Sequence, residues 1–87
     1  MRASDEKKKI SFAGPAMYRI TVQGALDEKW SDRLAGMKIT THIGEEKPLL
    51  TTLIGYLRDQ AELSGVLNSL YELHLPILSV VRIVEDN

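Results

Sequence analysis

Polar and apolar residues alternate from Met17 to Gln23: Tyr18, Ile20 and Val22 fall on one face, Arg19, Thr21 and Gln23 on the other. That is the period of a strand with one buried face, and Gly24 ends it. Leu26, Trp30 and Leu34 then recur every four residues, which predicts a short helix capped by Asp27 and stopped at Gly36. From Met37 to Ile43 the alternation returns, with Met37, Ile39 and Ile43 set against Lys38, Thr40 and His42. Gly44 to Pro48 reads as a polar turn. Leu49 to Tyr56 is apolar on both faces, which predicts a central strand, and Gly55 within it predicts a bulge or a close backbone contact.

The signal strengthens after Leu57. Asp59 is an N-cap, and Glu62 stands three residues on. This is the spacing of a capping box, in which the Glu carboxylate returns to the cap's own N–H. Leu63, Val66, Leu67 and Leu70 then fall at i, i+3, i+4 and i+7, one apolar face of a helix, and Leu73 widens the stripe. Gly65 inside the helix costs roughly 1 kcal/mol relative to Ala, which predicts a close neighbour as compensation. Pro76 stops the helix. Ile77 to Val84 is rich in β-branched residues at strand length.

The order is β-α-β-β-α-β, the split βαβ arrangement of a ferredoxin-like α+β sandwich. It predicts a four-stranded antiparallel sheet with the first and third strands inside and both helices on one face. Residues 17–87 form that domain. Residues 1–16 show no periodicity and are expected to be a mobile N-terminal tail, dispensable for folding.

Composition changes this picture little. The 87 residues, 44% hydrophobic and 26% charged, suit one domain with one modest core. A net charge of −1 argues against bulk attraction to nucleic acid or an anionic membrane. The absence of cysteine excludes disulfides, zinc–thiolate sites and thiol catalysis. No apolar run approaches the ~18 residues of a transmembrane helix, and a cytoplasmic location is expected.

The run DQAELSGVLNSLYELHLPILSVVRI, residues 59–83, with YRITVQGALDEKWSD and GMKIT before it, resembles a group of small, uncharacterised bacterial proteins. These share Asp-Gln-Ala, a Leu-rich helix and a Leu-Pro-Ile-Leu-Ser-Val tail, and the likeness covers about residues 17–85. It carries no activity with it. A looser likeness is to ligand-binding ACT domains, whose helices also begin with an acid and run into a strand. Where that family has an Asp-Pro-Gly ligand loop, Asp59 is here followed by Gln60 and Ala61.

No residue set predicts catalysis. No Ser lies in a nucleophile elbow, no Gly-rich phosphate loop is present, and the two His lack a carboxylate partner at metal-ligand spacing. No cofactor and no metal is expected. His74 at the helix end reads as a favourable charge on the dipole, and Trp30 reads as core. Asp27, Glu28, Asp32, Glu45 and Glu46 read as solvated acids. An RNA-recognition role would need aromatic residues on the open sheet face, where the first strand offers Arg19, Thr21 and Gln23. Arg19, Lys38, His42 and Arg82 are candidate contacts for an anion or small acidic ligand on that face.

The last strand is apolar in both parities. If Ile77, Ser79, Val81 and Ile83 face the helices, then Leu78, Val80 and Val84 share the open face with Arg82. The opposite parity leaves Ile77, Val81 and Ile83 uncovered. Either way large apolar residues stay wet in a monomer, with Leu49, Leu50, Leu53 and Ile54 of the third strand adding to them, and such clusters mark interfaces. The predicted interface is Leu78, Val80 and Val84. The expected function is a non-enzymatic interaction module that forms a homodimer through its open sheet face; the alternative is an ACT-like domain that binds a small molecule.

Overall fold

The structure, a computed structural model, describes residues 14–43 and 49–84. The expected tail up to Ala13, the turn from Gly44 to Pro48 and the last three residues lie outside the described residues.

Strand β1 (Ala16–Gln23), a 3-10 helix (Glu28–Leu34), β2 (Lys38–Ile43), β3 (Leu49–Leu57), helix α1 (Gln60–Glu72) and β4 (Ile77–Ile83) follow one another along the chain. The four strands form one antiparallel sheet in the order β2-β3-β1-β4, so the first and third strands are the inner ones, as the order of elements predicts. Ala16, assigned by sequence to the tail, opens β1 and is buried.

The core lies on one face of the sheet. Tyr18, Ile20 and Val22 of β1 meet Leu53 and Leu57 of β3 and Ile39 of β2, and Leu34, Val66 and Leu70 close over them from the two helices. This places both helices on that face. Thr51 is fully buried there, and its hydroxyl donates to the Gly24 carbonyl at 2.6 Å and lies 3.1 Å from the Thr41 hydroxyl. A buried hydroxyl is tolerated because its hydrogen bond is made. At Gly55 an added Cβ would lie 3.1 Å from Met37 Cα, so of the two roles predicted for this glycine the close backbone contact is the one observed.

Three local expectations need correction. The first helix is a 3-10 helix of seven residues, not an α-helix. Asp27 caps it by accepting from Lys29 N–H at 2.9 Å, while Leu26 precedes the helix and joins the core. At α1 the Asp59 carboxylate accepts from Glu62 N–H at 2.9 Å, as expected. The Glu62 carboxylate, however, accepts from the N–H of Arg58, at 2.8 Å, not from the cap's own N–H. It then pairs with the Arg58 guanidinium at 3.2 Å, a second contact that the one-residue displacement makes available. Gly65 faces solvent with nothing within 4 Å of an added Cβ, so no close neighbour offsets its conformational cost.

Candidate functional site

Cross-strand pairing decides which side chains share a face, because residues directly opposite in an antiparallel ladder project to the same side. Ile20 pairs with Val80 and Tyr18 with Arg82, whereas Arg19 pairs with Val81, Thr21 with Ser79 and Met17 with Ile83. Ser79, Val81 and Ile83 therefore share the open face, and Val80 and Arg82 lie on the side of the helices. This corrects the grouping of Arg82 with Arg19, Lys38 and His42, and it removes Val80 from the open face. A bulge between Thr21 and Val22 sets Ile77 opposite Val22 and leaves Leu78 unpaired. Neither parity was excluded by sequence because both halves of β4 are apolar.

The helix layer does not cover β4. The two helices pack on each other and on β2 and β3, and neither makes a comparable contact with β4. Consequently β4 is exposed on both sides from Ile77 to Val81, and only Arg82 and Ile83 are half-buried. Leu78 is 53% exposed and Val80 40% exposed, Val81 on the opposite face is 37% exposed, and Val84 just beyond the strand is 75% exposed. The predicted interface residues are thus accessible, Val80 from the side of the helices and not from the open face.

The outer rim of β4 is also unpaired among the described residues. Gln23 N–H donates to the Pro76 carbonyl at 2.9 Å, and Gly24 N–H donates the other way, to Leu49, at 2.8 Å. By the period of two, the odd-numbered residues of β1 turn their polar groups to β4 and meet Ser79, Val81 and Ile83. The main-chain N–H and C=O groups of Val80 and Arg82 then point away from the sheet. The opposite edge is different. The 3-10 helix packs against β2, Ser31 Oγ donates to the Met37 carbonyl at 2.7 Å, and Lys38 and His42 supply polar side chains.

On the open face, Arg19 and Lys38 lie in one row, both level with Ile54 of β3. His42 lies four residues further along β2, level with Leu50, and its Nε2 is 3.2 Å from Thr52 Oγ1. None of the four strands carries an acid. The acids expected to be solvated, Asp27, Glu28 and Asp32, are exposed; Glu45 and Glu46 lie outside the described residues. Trp30 packs against the core with the Arg33 guanidinium 5.5 Å from its ring centre. Asp59, at the place where the ACT likeness would put a ligand loop, caps α1.

No group of three or more potential metal ligands occurs among the described residues. No helix among them is long and apolar enough to cross a membrane. Glu62 is held below the ordinary carboxylate range by the hydrogen bond from Arg58 N–H and then by that from the Arg58 side chain, which is a capping effect. Residues 17–81 match a family described as a domain of unknown function, DUF8691. No curated protein and no solved structure matches the chain.

Proposed function

The chain belongs to the DUF8691 family, a membership that brings no activity with it, and from the geometry we propose that it is a non-enzymatic interaction module that self-associates through β4. The observation that carries this is a largely apolar strand whose first five residues are exposed and whose rim is unpaired among the described residues. We further assign the domain to the ferredoxin-like arrangement, on its element order and its inner first and third strands.

Two ways of covering β4 compete. Stacking two open faces, the arrangement the sequence favoured, would bury Arg19 on an inner strand against strands that carry no acid. An unpaired buried charge costs several kcal/mol. That arrangement also leaves Leu78 and Val80 wet. Edge-to-edge pairing of two β4 strands avoids both costs. It satisfies the outward groups of Val80 and Arg82 and brings side chains of both faces together. An antiparallel pair has a local two-fold axis, so one strand can serve as its own partner. Centred on Val80, the register overlaps all of Ile77–Ile83. The two Arg82 side chains then stand roughly 13 Å apart along the seam, beyond the screening length of about 8 Å at physiological salt. Natural edges resist such pairing with charge or Pro, and within β4 only Arg82 is charged. A seam of this length falls below the roughly 1,200 Å² of stable complexes, so the association is weak and concentration-dependent.

Sedimentation of the full chain from micromolar to millimolar concentration tests this. Val80→Lys and Val80→Glu should each be monomeric, because each places like charges opposite one another at the axis. An equimolar mixture of the two should associate again. Ile54→Glu, on the open face away from the edge, should leave association unchanged. A wild-type chain that stays monomeric throughout, or a mixture that fails to recover, refutes the β4 pairing. Loss of association in Ile54→Glu alone moves the interface to the open face.

A further inference from the structure

The open face carries a second pattern, which edge-to-edge pairing of β4 leaves uncovered. The register sets Thr40, Thr52, Thr21 and Ser79 in a single row across β2, β3, β1 and β4. Thr52 occupies an inner position in this row. On one side of it, Lys38 and Arg19 stand level with Ile54; on the other, His42 and Gln23 stand level with Leu50. Thr52 is therefore the centre of a rectangle with Lys38, Arg19, His42 and Gln23 at its corners. Strand spacing and rise make the rectangle roughly 10 Å by 13 Å between Cα atoms, a span the long Lys and Arg side chains can close from above. The corner residues and Thr40 are exposed, and Thr52 and Thr21 are half-buried.

We propose that this rectangle binds a phosphate group carried by a small molecule. His42 Nε2 is already 3.2 Å from Thr52 Oγ1. When that nitrogen donates to the hydroxyl oxygen, the O–H of Thr52 is free to donate outward. Thr40 and Thr21 offer hydroxyls on either side, at the strand spacing of about 4.8 Å, so separate oxygens of one tetrahedral anion have separate donors. Lys38 and Arg19 supply charge-assisted hydrogen bonds from the same side. No acid lies on any of the four strands, so none of the described strand residues repels a dianion. A carboxylate would use fewer of these donors, having two oxygens and one charge. A nucleic-acid backbone needs an extended positive track, whereas the cations here are confined to one rectangle on a chain of net charge −1.

The test is an NMR titration of the full chain with inorganic phosphate at constant ionic strength, with succinate as the carboxylate comparator. Saturable shifts should centre on Thr52, Thr40, Thr21 and His42, and succinate should bind more weakly. Thr52→Val keeps the shape, the strand preference and every charge, yet should weaken phosphate binding about tenfold, the scale of one charge-assisted hydrogen bond. The double variant Arg19→Gln, Lys38→Gln should abolish binding. An unchanged melting temperature and an unchanged spectrum away from the face establish that each variant is folded. Absence of saturation, equal binding of succinate, or full binding by Thr52→Val overturns the proposal. Repeating the titration on Val80→Lys keeps it separate from self-association, because that variant leaves the rectangle intact.

Discussion

His74 holds a backbone conformation that L-residues avoid. Its φ is 62°, in the left-handed region where Cβ crowds the neighbouring carbonyl. The reason lies in the chain reversal at the end of α1. His74 N–H donates to the Tyr71 carbonyl at 2.9 Å and Leu75 N–H to the Leu70 carbonyl at 3.2 Å, the paired bonds of a Schellman motif with His74 at the position usually held by Gly. The sequence shows a His before Leu-Pro and invites a helix-dipole reading; the left-handed turn is invisible because its usual glycine marker is missing. His74→Gly should therefore stabilise the protein by about 1 kcal/mol, the size of the left-handed penalty. Urea denaturation monitored by circular dichroism measures it, and a destabilised variant would show that the imidazole contributes more than its backbone strain costs.

At the scale of elements, what was legible depended on how one-sided each pattern is. In β1, polar Arg19, Thr21 and Gln23 stand against apolar neighbours, and the strand, its buried face and its open face follow from that contrast. In β4 both parities are apolar, so the pairing with β1 and the bulge opposite Thr21/Val22, neither of which sequence displays, set the faces. For the same reason Arg19, Lys38 and His42 could be placed together while Arg82 could not. The central place of Thr52 was out of reach because it depends on two ladders in register. The start of α1 was legible because its cap is local. That cap has a pH signature. Hydrogen bonds from Arg58 hold the Glu62 pKa below its ordinary value, so the folded state releases this proton more readily than the unfolded chain. The resulting stability is present above the ordinary carboxylate range and is lost as pH falls through the lowered folded value. Glu62→Gln should consequently be less stable than wild type at neutral pH, with the difference shrinking in acid. Melting curves across that range measure it, and a gap independent of pH would assign the effect to packing instead.

Across the whole molecule, protection is uneven. Among the described residues, the inner strands β1 and β3 are paired on both sides and covered by the helices, β2 is flanked by the 3-10 helix, and β4 has one paired side and little cover. Amide exchange follows local opening as well as global unfolding, so β1 and β3 should exchange most slowly. Within β4 the two kinds of amide should separate. Those of Ser79 and Val81 turn inward to β1, and they should be protected at any protein concentration. Those of Val80 and Arg82 turn outward, and they should exchange rapidly in dilute solution. If two β4 strands pair, the outward amides gain partners from the second copy, and their protection should rise with protein concentration while that of Ser79 and Val81 stays nearly constant. Face-to-face association would slow none of the outward amides selectively, because it adds no main-chain partner at the rim. Residue-resolved hydrogen exchange by NMR at two well-separated concentrations distinguishes these cases. Concentration-independent exchange at both Val80 and Arg82, in a sample that sedimentation shows to be associated, would exclude the β4 edge as the seam.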